Sequence, residues 1–255
     1  MTHPGEIGIF LLAAVAAALL WGRGLWYLDE RSRAFHRLVL FVLGFTRRRA
    51  GEVRAALLSG IYYLLGLLGA LAFAGFYRVR LAELVAVSAS HLGLAVLGVV
   101  GEISLADLLV GVGARAMRAG PARFAELKEV PWMKGLCQLP PGWVPVAAAL
   151  GGVVEELFFR GVLLTILLRS LAVAPWVAVA LAGALFTLEQ LLQVRTRFQA
   201  LVLGSGCAAL SLVGGLLVVL TGSVVPALLC HASFVVFFLP PFLRQPGPRR
   251  EAVAA

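Results

Sequence analysis

The stretch Val144-Pro-Val-Ala-Ala-Ala-Leu-Gly-Gly-Val-Val-Glu155-Glu156-Leu-Phe-Phe-Arg160-Gly-Val-Leu-Leu-Thr-Ile-Leu-Leu168 decides how this chain is read. It is long enough to cross a bilayer as a helix, which takes about 20 mostly apolar residues. Yet Glu155, Glu156 and Arg160 stand near its centre. A charge at mid-membrane costs about 2.5–3.5 kcal/mol even on the mildest scale, so these residues need partners or a function. Glu156 and Arg160 are spaced i,i+4 and share a helix face, which lets one carboxylate pair with the guanidinium. Glu155 projects about 100° away, toward a different neighbour. Left free in a water-poor cavity, it is suited to act as a general base toward water. From these residues alone a structural ion pair, an ion-translocation site and a catalytic site all stay open.

The rest of the chain agrees with a membrane setting. Of its 255 residues 61% are apolar and 14% charged, and the mean hydropathy is +0.95. Soluble domains run near 45–50% apolar and about 25% charged, so a soluble globular protein is excluded. Disorder would need low hydropathy and high charge, and the glycines show no collagen period. The expected fold is all-α, a polytopic transmembrane bundle. Seven apolar segments are expected to span, at 6–22, 55–77, 84–113, 144–168, 174–193, 198–220 and 223–240. The third is long enough to be a hairpin instead. A shorter apolar stretch at 35–45, flanked by arginines, suits an interfacial helix. The first six residues lack the cationic start of a secretory signal peptide, so the run after them reads as a retained helix. Cys137, Cys207 and Cys230 form no disulfide framework, and two of them lie in apolar segments as small core residues.

Charge supplies orientation. The 22 Lys and Arg against 13 Asp and Glu fit cytoplasmic basic loops better than nucleic-acid binding. With the N-terminus outside, segments 23–54, 113–143, 194–197 and 241–255 hold eight, five, two and three Lys or Arg, 18 of the 22 basic residues. The outer loops hold only Arg78, Arg80 and Arg169. The division expected is 1–113, N-terminal transmembrane helices with a basic cytoplasmic loop; 114–143, a cytoplasmic linker with a short amphipathic helix over 122–130; 144–240, a helical core that carries the intramembrane charges; and 241–255, a disordered cytoplasmic tail. The chain is expected in a plasma (inner) membrane.

Two further spans carry polar groups. The fifth contains Phe186-Thr-Leu-Glu189-Gln190, where Glu189 is expected to snorkel to the interface. The seventh contains Cys230-His231-Ala-Ser233-Phe-Val235. A histidine there serves either as a hydrogen-bonded packing residue or as a donor, acceptor or ligand. His91, with Glu102 and Asp107 downstream, is a weaker candidate.

In order, Glu-Glu-x-x-x-Arg, then Phe-x-x-x-(polar), then a late histidine resemble the CPBP family of CAAX prenyl endopeptidases and bacteriocin-processing (Abi) intramembrane proteases. The resemblance covers about residues 144–240. Glu155, Glu156 and Arg160 match its first motif in full. Phe186 fits the second, but Gln190 stands where that family has histidine. His231 fits the third, but Val235 replaces an amide. The resemblance implies an intramembrane endopeptidase in which Glu155 activates water, Glu156 and Arg160 support it, and His231 is an oxyanion or water partner. Gln190 can hold water or an oxyanion but cannot relay a proton. Zinc is compatible with the family, yet only one of the glutamates and His231 are left as ligands. A catalytic zinc takes three protein ligands and water, so no metal and no other cofactor is expected.

Three readings result. The first is a glutamate-dependent endopeptidase acting on a membrane-anchored protein or peptide near the membrane surface. The second is a weakened relative that binds or chaperones membrane partner subunits, which Gln190 and Val235 favour. The third is an ion-coupled transporter, for which the expected internal repeats and broken helices are not evident. A nucleic-acid partner is not expected; the lipid bilayer is. Orientation is directly testable: reporter fusions at Ala255 and within 114–143 should both report cytoplasm, and an external signal at either refutes the topology.

Overall fold

The computed structural model describes residues 4–244. Helix α1 (Pro4–Arg31) runs past the expected end of its apolar segment at 22 and stops where Ser32 turns extended. The Ser32 hydroxyl accepts the Phe35 N–H at 3.2 Å and so caps α2 (Arg33–Leu43). A helix thus forms where the interfacial one is expected at 35–45. It buries Phe35 and Val39 and leaves Leu40 and Phe41 outward. The basic segment 23–54 is therefore mostly helix rather than loop.

Helix α3 (Ala50–Phe76) follows, then a 3-10 turn at Leu81–Val85. Helix α4 (Ala89–Ala116) starts where Ser88 accepts the His91 N–H and continues unbroken. The hairpin alternative for 84–113 is thereby excluded, because the glycines of this segment stay within one helix. The linker holds a 3-10 stretch, Pro121–Glu129, and α5 (Pro131–Leu136). It is clamped to the start of α8 (Arg197–Thr221): Thr196 and Gln199 donate to the Glu126 carboxylate and carbonyl at 2.8 and 2.7 Å. The hydrogen bonds from Arg123 and Thr196 hold the Glu126 carboxyl below its ordinary range.

Helix α6 (Val144–Glu156) continues through π-helical turns at Leu157–Leu163 and Ile166–Ser170. Helices α7 (Pro175–Leu191) and α9 (Val225–Arg244) flank α8 in sequence. The expected tail overlaps the end of α9, and residues 245–255 lie outside the described residues. Four helices, α1, α3, α4 and α8, are long and apolar enough to cross a membrane by length and composition. The other three expected spans correspond to the π-interrupted α6 and two shorter apolar helices.

The α6 segment forms the axis. Phe158, Phe159, Val162, Leu163, Leu164, Ile166 and Leu167 are all fully or nearly fully buried. Outward residues such as Leu12, Leu64 and Leu97 are apolar and exposed, as suits helices facing lipid. Trp21 of α1 stacks on Phe159, with centroids 5.9 Å apart, and its indole N–H donates to the Tyr62 carbonyl at 3.0 Å. That contact requires Gly66 of α3, where a Cβ would collide with the Trp21 ring and with Val154. We expect Gly66→Ala to destabilise the protein by about 1–3 kcal/mol through overpacking. Gly60→Ala, which meets open space, should be neutral or slightly stabilising. Thermal unfolding of both variants in detergent decides this.

Candidate active site

Adjacent positions on α6 send Glu155 and Glu156 to different neighbours, as their 100° separation requires. Both are buried, at 9% and 1% exposure, and Arg160 is at 1%. Arg160 lies on the π-helical turn, a distortion that recurs at functional sites. Its Nη1 is 2.9 Å from Glu156 Oε1, and its Nη2 donates to Ser211 Oγ at 3.2 Å. The guanidinium also sits 4.1 Å from the centroid of the Phe186 ring. A desolvated cation over an aromatic face gains about 2 kcal/mol. Phe186 therefore holds the arginine from α7 while Glu156 holds it from α6.

His231 comes in from α9 against Gly152, whose missing Cβ would lie 3.3 Å from the imidazole carbons. Its Nδ1 is 2.9 Å from Glu156 Oε1. An ion-paired carboxylate accepts there, so Nδ1 carries the proton and Nε2 is left as the free ring nitrogen. Nε2 faces Glu155 Oε2 at 3.8 Å, beyond direct hydrogen-bond range. The sequence alternatives for His231 thus merge: it packs by a hydrogen bond and presents a second nitrogen to Glu155.

Glu155 Oε1 accepts from two groups. One is the Tyr62 hydroxyl, from α3. The other is Gln190 Nε2, at 3.4 Å. The same amide nitrogen donates to Glu189 Oε2 at 2.9 Å, and Gln193 donates to Glu189 Oε1 at 3.3 Å. Gln190 is thus committed to bridging two carboxylates and is not a free donor. Glu189 is fully buried, which corrects the expectation that it snorkels: α7 turns this side chain inward toward α1, beside Gly22.

All five residues singled out from sequence, Glu155, Glu156, Arg160, Gln190 and His231, come together here. Tyr62 and Glu189 were missed as members of the site. Glu189 carried a signal, an ionisable group one position from a motif residue. Tyr62 is 93 positions from Glu155, and only its polar tip inside an apolar span hinted at it. Of the weaker candidates, His91 caps toward the Ala86 carbonyl at the start of α4, away from the glutamates. Glu102 is fully buried with neither carboxylate oxygen hydrogen-bonded.

Glu155, Gln190, His231, Tyr62 and Val235 line a largely apolar cavity of about 560 Å³, roofed by linker residues such as Leu127 and Met133. The donor set does not fit a catalytic metal. His231 Nδ1 is engaged by Glu156 and Glu155 Oε1 by two donors; the open atoms, Glu155 Oε2, Glu156 Oε2 and His231 Nε2, are not placed as the three-ligand set that zinc takes. Among the described residues no group of three or more His, Cys, Asp or Glu is placed to hold a metal ion.

Removing one member of a buried ion pair strands the other, at about 3–5 kcal/mol. We therefore expect Glu156→Gln and Arg160→Ala to lower membrane accumulation and thermal stability more than Glu155→Gln, which keeps an oxygen for Tyr62. Equal accumulation and stability of all three variants would refute this division between the carboxylates.

No curated protein and no solved structure matches the chain. Residues 138–237, which carry every motif residue but not Tyr62, match the family model described as Type II CAAX prenyl endopeptidase Rce1-like, and the resemblance to the CPBP intramembrane proteases is thereby borne out.

Proposed function

We propose that this protein is a metal-independent intramembrane endopeptidase that uses Glu155 to activate water. The observation that carries the reading is the asymmetric dressing of Glu155. Its Oε1 is held by Tyr62 and Gln190, so its Oε2 is the oxygen left to take a proton, opposite His231 Nε2. A water hydrogen-bonded to both atoms is oriented by His231 and deprotonated by Glu155. The nascent hydroxide adds to the peptide carbonyl carbon. As the tetrahedral intermediate collapses, the C–N bond breaks and Glu155 returns the proton to the leaving amine. Glu156, Arg160 and Phe186 act through His231, fixing its tautomer and position.

The substrate class we infer is a membrane-anchored protein or peptide cut close to its anchor. The apolar cavity suits a chain segment drawn from lipid, and the family match makes a prenylated CAAX tail the first probe to try. Glu155→Gln should lower cleavage of membrane-anchored reporters by about 10²–10⁴-fold, the usual loss of a general base, at matched expression. If wild type and Glu155→Gln give the same biological output, the partner-binding reading favoured by Gln190 and Val235 replaces this one.

A further inference from the structure

Hydrolysis through a tetrahedral intermediate needs a donor for the oxyanion, and removing one such donor typically costs about 10²–10³-fold in turnover. The donors around Glu155 are few. Both Gln190 Nε2 hydrogen bonds end on carboxylates, the shorter on Glu189 at 2.9 Å. His231 Nδ1 is spent on Glu156. Val235 has no polar group. The donor in direct hydrogen-bond contact with Glu155 and with no second acceptor among its hydrogen bonds is the Tyr62 hydroxyl, which lines the same cavity.

We propose that Tyr62 is a catalytic residue of this site and its oxyanion donor, an inference that rests on Glu155 being the base. The coupling follows from charge. While Glu155 is ionised, its carboxylate holds the phenolic O–H in a charge-assisted hydrogen bond, roughly twice as strong as a neutral one. When Glu155 takes the proton from water, its carboxyl becomes neutral and that hold weakens. In the same step the carbonyl π pair moves to oxygen and creates the oxyanion. A phenol O–H rotates about its C–O bond, so the hydroxyl passes from the acceptor that has lost charge to the one that has gained it. On collapse the oxyanion re-forms the carbonyl, Glu155 gives up its proton to the amine, and Tyr62 returns to Glu155. The ring is held for this by Trp21, 4.7 Å away centroid to centroid, and by the Trp21 indole on the Tyr62 carbonyl. Tyr62 lies outside residues 138–237, so the N-terminal helices supply part of the chemistry.

The test uses the full-length protein in liposomes with a quenched fluorescent farnesylated CAAX peptide as probe. Tyr62→Phe keeps the ring and the backbone carbonyl that Trp21 binds. We expect kcat to fall about 10²–10³-fold, with KM and thermal stability close to wild type. Tyr63→Phe, which loses only a hydroxyl bonded to the Ala147 carbonyl, should be silent. Adding Val235→Asn to Tyr62→Phe should restore turnover at least in part, by placing an amide donor in the same cavity; a structural defect would not be rescued this way. Wild-type kcat in Tyr62→Phe, with Glu155→Gln inactive, overturns the role of Tyr62 alone. So does a loss of turnover that tracks a loss of stability and is not rescued. An active Glu155→Gln, or a wild type that does not cleave the probe, overturns the glutamate reading and this inference with it.

Discussion

The ion pair between Glu156 and Arg160 is the interaction on which the rest of the structure turns. Two opposite charges taken out of water are repaid only if their remaining hydrogen-bonding groups are also engaged. Here that requirement is met in part, since Glu156 Oε2 stays buried without a hydrogen-bond partner, and meeting it recruits helices. Ser211 brings α8 to the guanidinium, Phe186 brings α7 under it, and His231 brings α9 to the carboxylate. The π-helical turn at Leu157–Leu163 carries the arginine itself. Four helices are thus registered around one buried pair, and the position of His231 follows from that registration.

The second carboxylate inherits its geometry from the first. Because α6 rotates by 100° per residue, fixing Glu156 toward α9 turns Glu155 toward α3 and α7. There it meets donors rather than a cation. A carboxylate oriented by two hydrogen bonds on one oxygen leaves its other oxygen open toward His231. The i,i+4 spacing that satisfies Arg160 therefore also leaves Glu155 available. Ordered this way, the ion pair and the open carboxylate are consequences of a single helical register.

Much of this was legible in the sequence because it is local. Helical periodicity separated the two glutamates, hydropathy marked the apolar segments, and charge spacing paired Glu156 with Arg160. What was not legible depends on contacts across the bundle. Whether Glu189 meets water or protein is decided by how α7 rolls against α1, and hydropathy along α7 does not encode that. The Tyr62 contact joins helices whose sequence separation spans the whole linker. The boundaries at Arg31 and Ala89 were set by serine caps, Ser32 and Ser88, a signal that is readable but was outweighed by hydropathy.

The residue at position 190 is understood best from the two buried glutamates it lies between, Glu155 and Glu189. A histidine at 190 would bring a titratable ring next to two carboxylates, Glu155 and Glu189, in a nearly dry site. A neutral amide instead gives each of them a hydrogen bond without adding a charge whose burial must be offset. Gln190 thus suits a site with two buried glutamates: it cannot transfer a proton, but it keeps two carboxylates close. Val235 offers no polar group from α9, and the hydroxyl that reaches Glu155 comes from α3.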